Sequence, residues 1–414
     1  MFGLLLGPLA ASATTWIVAA GGGGQFTDIQ TAILVAQTGD VLLVQPGTYA
    51  PFALDRGLTL IGYGACDVSG TITIAGVPAG QTAAVVHIEA SALDVQACDC
   101  PVIVQDTQQL VSISVSNSPD VRLARVLMPF QPSPSPTPPV GLELTGSRLE
   151  LVASRIAGGM GADCATPAIQ GPEGATCANS RLHMSRTRLL GGAGSSCAAL
   201  NYYCGNGGVG LDLHAGADTI LCGRPTDILT GGDGGGNWAY FSDCSFDGQM
   251  GSAVLLGSGA ALRHSGVTIH DVAYYYGFHC VLVTGPGVQQ AGGTEVQPAE
   301  ADPTLDVSGN QNASGTLTFT LDAPAGSTAL LYVGRSAVVV PDPNTLIEVL
   351  TPATIAFNLG QIPASGTATF TRHVSTLLPP GAKLVPGAKF FVQAEVSVAP
   401  GDLRRTNSIP VILR

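Results

Sequence analysis

The stretch G-L-E-L-T-G-S-R-L-E-L-V-A-S-R-I-A-G-G-M-G at residues 141–161 decides the fold, because later parts of the chain repeat it. The repeats are S-R-L-H-M-S-R-T-R-L-L-G-G-A-G at 180–194, G-L-D-L-H-A-G-A-D-T-I-L-C-G-R-P-T-D-I-L-T-G-G-D-G at 210–234 and, more loosely, A-V-L-L-G-S-G-A-A-L-R-H-S-G-V-T-I-H-D-V at 253–272. Each copy has a short segment of alternating apolar residues, a turn of small residues, a second such segment and one more apolar step. Repetition of very short strands predicts a β-solenoid.

The composition narrows the class of protein. The chain has 414 residues, of which 45% are apolar, 11% are charged and 54 are glycine. This is too apolar for a disordered chain, and no internal stretch is continuous enough to predict a membrane span. The net charge is −12 and the only lysines are Lys383 and Lys389, so no nucleic-acid partner is predicted.

The N-terminus indicates export. Phe2–Ala10 is a short apolar run, and Ala11-Ser12-Ala13 has the small-x-small form of a signal-peptidase site. Residues 1–13 are therefore predicted to be a signal peptide or its remnant, although the usual basic region is missing. The alternative is that Leu4–Leu6 begin a hydrophobic cap. We expect a secreted or cell-surface protein.

Cysteine spacing predicts two local disulfides. Cys164 and Cys177 bracket one insertion and Cys197 and Cys204 another, and both insertions follow a G-G-x-G turn. Cys222 and Cys244 lie at similar points of adjacent copies, so they could form a further disulfide between rungs. Zinc is not predicted, because Cys98-x-Cys100 lacks the spacing of a zinc site. The cysteines whose partners stay open are Cys66, Cys98, Cys100, Cys222, Cys244 and Cys280.

The opening of the chain carries a family resemblance. G-Q-F-T-D-I-Q-T-A-I at 24–33, G-D-V-L-L-V-Q-P-G-T-Y at 39–49 and L-T-L-I-G at 58–62 resemble the start of right-handed parallel β-helix proteins of the pectin-lyase-like superfamily. The resemblance implies a short capping helix followed by the first rung, and the repeats extend the helix to about residue 290. It says little about activity, since the superfamily includes lyases, hydrolases, esterases, tailspikes and non-enzymatic surface proteins.

A second domain is predicted after a change of composition at 285–303. We expect a right-handed parallel β-helix over 14–290, a linker over 291–302 and an antiparallel β-sandwich over 303–414, where strands are longer and separated by Pro and Gly turns. The last part resembles C-terminal modules of secreted planctomycete and myxobacterial proteins. Such a module would serve as a spacer or attachment piece. The Pro/Ser run at 128–140 is predicted to be an extended loop that projects from one rung.

Titratable residues on adjacent rungs give two candidate catalytic sets. One is Asp212, His214 and Asp218, and the other is Asp243, Asp247, Arg263, His264, His270 and Asp271. Paired carboxylates would serve hydrolysis, and an arginine beside acidic calcium ligands would serve elimination from uronates. The alternative is that these residues are solvated or bond to neighbouring backbone. The residue sets typical of polygalacturonases, pectate lyases and pectin methylesterases are missing.

Aromatic and glycine-rich stretches suggest ligand contacts. Trp238, Tyr240, Tyr274, Tyr275 and Tyr276 would form a strip that stacks on sugars, unless they stack inside the coil. The stretch 231–237 could hold calcium through Asp233, but we expect it to be a corner turn whose glycines supply positive φ. No other cofactor is predicted.

Together these features favour a secreted or cell-surface β-helix protein that binds or displays carbohydrate, with a polysaccharide or cell-surface glycan as partner. The first alternative is a polysaccharide lyase or glycoside hydrolase acting on acidic or plant and algal polysaccharide. The second is a structural adhesin or spacer. Enzymatic activity and oligomeric state stay open.

Overall fold

The computed structural model describes most of the chain, and its architecture is the predicted one. The described residues are nearly all β, with long parallel sheets first and antiparallel sheets towards the C-terminus. The fold class predicted from the repeats is thus confirmed as a parallel β-helix followed by a β-sandwich. The described ranges are 13–108, 110–129, 138–160, 170–195, 205–233, 249–276, 281–298, 301–334, 337–338, 349–350, 353–378 and 384–414.

Sheet 1 is the longer of the two main walls of the β-helix, and all of its strand pairs are parallel. Its 11 strands stack in chain order, so each turn of the coil adds one. They are Thr15–Val18, Val41–Val44, Thr59–Gly62, Ala83–Val86, Val102–Gln105, Val121–Ala124, Arg148–Val152, Arg181–Ser185, Asp218–Cys222, Ala261–Ser265 and Thr294–Val296.

Sheet 2 forms the second main wall and has 10 strands. They are Gly47–Tyr49, Phe52–Leu54, Cys66–Ala75, Glu89–Gln96, Ser112–Ser116, Leu142–Thr145, Ala175–Ala178, Leu211–Leu213, Val254–Gly257 and Val288–Ala291. A shorter sheet 3 lies between them in the later turns and consists of Arg155–Ala157, Arg188–Leu190, Ile228–Thr230 and Thr268–Ile269. Val272–Tyr276 and Val281–Gly285 pair as an antiparallel hairpin.

A short helix closes the N-terminal end of the coil, as the family resemblance implied. It spans Ile29–Val35, and the side chain of Asp28 caps it by accepting the Thr31 N–H at 2.9 Å. Ile29 and Ile33 are buried against the first rungs. The apolar spacing of three to four residues therefore places one helical face over the open end of the core.

Two corners with left-handed backbone conformation explain which residues recur in the repeat. Several residues that directly follow a strand of sheet 2 have a positive φ, such as Asn117 (47°) and Asn179 (48°), and so do several that follow a strand of sheet 1, such as Ala153 (48°). A serine follows at the first corner. The Ser147 hydroxyl accepts the N–H of Ser118 one rung earlier at 3.0 Å and donates to its own Thr145 carbonyl at 2.8 Å. The recurring N-S or G-S thus satisfies buried backbone groups at the turn.

Glycines at the third corner have a different role from the one expected. Gly231 and Gly232 do not have positive φ. Instead, a Cβ at Gly192, Gly208, Gly232 or Gly251 would come within 3.0 Å of the backbone of a neighbouring rung. These glycines form a hydrogen-bonded series in which Gly208 N–H donates to Gly192 at 2.8 Å and Gly232 N–H to Gly208 at 2.8 Å. We name this series the glycine seam; it needs glycine for close approach.

The free cysteines correct one disulfide prediction. Cys177 is a free thiol on the inward side of sheet 2, in register with Leu144 and Leu213, and it is 0% exposed. It therefore packs as a small apolar residue, and the predicted bridge to Cys164 is wrong. Cys222 is likewise free and buried, so a bridge to Cys244 is not formed. Cys164, Cys197, Cys204, Cys244 and Cys280 lie outside the described residues.

The C-terminal module is an antiparallel sandwich. One sheet contains Thr304–Gly309, Thr316–Asp322 and Thr367–His373. The other contains Ala353–Gln361, Thr328–Gly334, Lys389–Ala399, Asp402–Arg405 and Ile409–Ile412, and a small pair joins Ala337–Val338 to Val349–Leu350. The strand Thr294–Val296 still pairs with sheet 1, so the β-helix continues into the segment 291–302 that was predicted to be a linker.

The sandwich packs sideways on the outer face of sheet 1. Ile61, Val86 and Ile103 point outward from the early rungs and form one buried cluster with Phe391 and Ile412 of the sandwich. Each of the three rung residues is 0% exposed. A module that buries apolar wall residues in this way is part of the folded unit rather than a piece joined only through a linker.

Candidate functional site

The two main walls differ in what lies on their outer faces. Outward residues of sheet 1 are buried beneath the sandwich, as Ile103 and Glu150 show at 0% and 4% exposure. Outward residues of sheet 2 stay partly or fully exposed, as Ser114 and Glu143 show. The outer face of sheet 2, which we call the open face, is therefore the broad surface of the β-helix that is available to a large ligand.

The centre of the open face carries a regular column of polar side chains. The strand register aligns, on five successive rungs, Asp94, Ser114, Glu143, Thr176 and Asp212. We call this set the open column. Its members follow the rung spacing of about 4.8 Å, and carboxylates alternate with hydroxyls along it. Both groups are hydrogen-bond acceptors, and the hydroxyls also donate.

Asp212 ends the column in a small titratable cluster. Its Oδ2 lies 3.3 Å from Nε2 of His214, and its side chain is 15% exposed. Burial raises the pKa of the Asp212 carboxyl, and nearby Glu173 raises it further, while His214 acts in the opposite direction. A carboxyl whose pKa is raised by burial and by a second carboxylate is a typical arrangement for proton transfer.

A cleft lies on the open face near the N-terminal end of the coil. It has a volume of about 340 Å³ and is lined by Asp67, Ser69, Glu89 and Ser91 among others. It forms where the strand Cys66–Ala75 shifts register against its neighbour between Val68 and Thr71. The open face thus has polar, acidic lining at both ends.

The structure brings Asp212 and His214 of the first predicted set together, but it places Asp218 on another sheet. Asp218 belongs to sheet 1, where its Oδ2 lies 3.8 Å from Nε of Arg181. Glu173, which lies shortly before the strand Ala175–Ala178, is the residue that joins the cluster. Counting alternate positions in each sheet 2 strand could also have found Asp94 and Glu143, whereas nothing local in the sequence signals Glu173.

Described residues of the second predicted set take part in ion pairs and backbone hydrogen bonds of the fold or are exposed. Arg263 makes a two-pronged ion pair with Asp302 at 2.9 and 3.0 Å, which joins sheet 1 to the start of the sandwich. His264 lies 2.9 Å from Glu295 at the last rung. His270 is exposed, and Asp271 is exposed and accepts the Gly287 N–H at 3.0 Å.

The other predicted site residues cannot be located in the same way. Asp243, Asp247, Trp238 and Tyr240 lie outside the described residues. Tyr274, Tyr275 and Tyr276 belong to the strand Val272–Tyr276, of which the structure describes the backbone pairing only. The proposed aromatic strip therefore stays a prediction.

The covered face holds a polar row that sequence reasoning missed. Glu150 accepts the Ser408 N–H at 3.1 Å, Nδ1 of His183 lies 3.8 Å from Glu150, and Sγ of Cys222 lies 3.9 Å from Nε2 of His183. This order matches that of a cysteine nucleophile with its base. However, burial raises the pKa of the Cys222 thiol to about 12, so the thiol stays protonated, and the sandwich covers the row. The row serves domain docking.

Within the described ranges, no group of three or more His, Cys, Asp or Glu side chains is arranged to hold a metal ion. The described helices also include none that is long and apolar enough to cross a membrane. The fold and the open face define a parallel β-helix with a docked β-sandwich and an exposed acidic wall. No protein-family model matches the chain, and no curated protein matches it either.

Proposed function

We propose that this chain is a secreted member of the pectin-lyase-like β-helix superfamily that binds a polysaccharide along the open face. The observation that carries the proposal is the open column, a row of carboxylates and hydroxyls in register on the one wide wall that the sandwich leaves exposed. Carboxylate and hydroxyl side chains are the groups that pair with sugar hydroxyls. A straight wall presents them to a long polymer rather than to a small molecule.

The charge of the open face favours an uncharged or cationic glycan over an acidic one. Asp94, Glu143 and Asp212 would repel a uronate or sulfate. His214 does not offset this repulsion, because it already lies beside Asp212. Two exposed arginines, Arg155 and Arg188, are stacked in register on sheet 3 instead. A polyanion would be drawn to that other face.

Binding to immobilised polysaccharides with single-site variants tests this proposal. Glu143→Gln and Thr176→Val, both on the exposed column, should each weaken binding of an uncharged polysaccharide about tenfold, because the first replaces a charged acceptor by a neutral amide and the second removes a hydroxyl. The matched control is Arg155→Gln with Arg188→Gln on sheet 3, which should leave that binding unchanged. Equal binding by the column variants and the wild-type protein, or no binding to any glycan, contradicts the proposal.

A second candidate, glycoside hydrolysis, is favoured by one observation. Hydrolysis needs one protonated and one ionised carboxyl, and the environment of Asp212 raises its pKa beside Glu173. Release of reducing ends from bound polysaccharide, lost in Asp212→Asn and in Glu173→Gln, would establish it. Elimination from uronates has less support, since Arg263 is engaged by Asp302. Binding without release of reducing ends would contradict hydrolysis and support polysaccharide binding as the function.

Secretion is proposed from the N-terminal sequence and is compatible with the thiols. Cys66, Cys98, Cys100, Cys177 and Cys222 are buried, so an oxidising environment has little access to them. The N-terminal residue of the protein recovered from culture medium tests the proposal. Cleavage after Ala13 in the medium fraction is expected, and retention of residues 1–13 inside the cell contradicts it.

A further inference from the structure

The open column has a period of two rungs, not one. Carboxylates stand at Asp94, Glu143 and Asp212, and the rungs between them carry Ser114 and Thr176. Like groups therefore recur at roughly 9.6 Å, twice the strand spacing. We propose that the ligand of the open face is an extended β-linked glycan whose own repeat is two sugar residues, lying parallel to the axis of the coil. This inference rests on the proposed function.

The two-rung period matches the geometry of such a glycan. A pyranose residue in an extended β-linked chain is about as long as one rung spacing, so the polymer and the wall stay in step over several rungs. Successive residues of a flat β-linked chain turn opposite edges towards the same surface. Alternate rungs therefore meet alternate edges, and a wall that alternates acceptor-only carboxylates with donor–acceptor hydroxyls fits both.

Competing ligands fit less well. A coiled α-linked glycan loses register after one or two residues, so it would use one carboxylate only. A polyanion with the same two-residue repeat would place its charges against Asp94, Glu143 and Asp212 without a compensating cation in the column. The column therefore favours an uncharged chain, or one carrying amines, over both.

A chain-length series provides the test. The probes are cello-oligosaccharides and chito-oligosaccharides of two to six residues, with malto-oligosaccharides as the coiled control, and the readout is the dissociation constant from calorimetry. We expect affinity to rise with each added pair of residues up to about five rungs, and maltohexaose to bind no better than maltose. Each further carboxylate contact corresponds to about tenfold in affinity.

A variant at the end of the column locates the register. Asp94→Asn should weaken hexasaccharide binding about tenfold and leave disaccharide binding within twofold, because a disaccharide can bind at Glu143 or Asp212. The matched control is Asp99→Asn, an exposed carboxylate outside the column. Both proteins should keep the unfolding midpoint of the wild type, which separates loss of contact from loss of fold.

The outcomes distinguish this inference from the function on which it rests. Affinity that does not change beyond two residues, or equal binding of maltohexaose and cellohexaose, overturns the inference while glycan binding stands. An equal effect of Asp94→Asn on short and long probes also overturns it. Absence of binding to every probe and to every polysaccharide overturns the proposed function itself.

Discussion

The outer faces of sheets 1 and 2 belong to walls with the same strand pattern, but one face is covered by the sandwich and the other is exposed to solvent. Both walls alternate inward apolar residues with outward ones, and both share one core. On sheet 1 the outward residues of early rungs are Ile61, Val86 and Ile103, and a sandwich covers them. On sheet 2 most of them are small, hydroxylated or acidic, and Leu255, in register with Asp212, is an apolar exception. The inward positions thus specify the coil, whereas the outward positions decide which wall is an internal interface and which one meets solvent.

Removing the sandwich is the most severe way to break this comparison. Deleting residues 303–414 would expose the apolar outward residues of sheet 1 and leave Glu150 without the Ser408 N–H. An apolar strip exposed to solvent in this way is expected to cause aggregation. Size-exclusion chromatography and circular dichroism should show no soluble folded monomer. A folded, monomeric fragment 14–302 would mean that the module is an attachment piece after all.

A pair of matched substitutions sharpens the same contrast. Ala84 points outward from sheet 1 and is 0% exposed, whereas Ala92 points outward from sheet 2 and is partly exposed. Ala84→Asp should lower the free energy of unfolding by about 3 kcal/mol or more, because it buries an unpaired carboxylate. Ala92→Asp should change it by less than about 0.5 kcal/mol. Similar losses in urea denaturation for both variants would contradict the assignment of covered and open walls.

Acid should loosen the covered face before the coil. Burial alone would raise the pKa of Asp106, but Arg125 and Arg414 outweigh it and the pKa is lowered below its ordinary 3.8. A carboxyl with a lowered folded-state pKa contributes stability that is present above its unfolded pKa and is lost as the pH falls through the folded value. The free energy of unfolding should therefore fall as the pH drops through the ordinary pKa of 3.8 towards the lower folded-state pKa. Asp106→Asn should lose about 2 kcal/mol at neutral pH and flatten that dependence.

The smallest expected effect lies on the open face and has the opposite sign. Burial and Glu173 raise the pKa of Asp212, so the folded state holds its proton more tightly than the unfolded chain and stability declines as the pH rises through that range. Asp212→Asn should therefore raise the melting temperature at neutral pH by a degree or two, on the order of 0.5 kcal/mol. A lower melting temperature would assign Asp212 a structural role.

The coil was predictable from the sequence, but the pairing of its faces was not. Short strands of fixed length and turns such as N-S and G-S are local signals, so the rungs and the capping helix followed directly. The docking of Phe391 on Ile61 and Ile103 joins residues more than 280 positions apart, and no local pattern encodes such a contact. Glu173 escaped detection for the same reason, because no local pattern places it near Asp212. The spacing of Cys177 from Cys164 suggested a disulfide. However, Cys177 occupies an inward position of its strand, in register with Leu144, and is therefore a core residue.

The glycine seam has a consequence for how the protein can change. Residues that flank the stretches 161–169, 196–204 and 234–248, the third of which is longer than the other two, lie along this seam. There the Gly171 N–H donates to the Asn206 carbonyl and the Gly207 N–H donates to the Gln249 carbonyl, each at 2.7 Å. The backbone hydrogen bonds and close glycine contacts of these flanking residues hold neighbouring rungs in register at the seam. Because those contacts lie outside the three stretches, we expect the coil to accept peptides of other length and sequence there without loss of its frame.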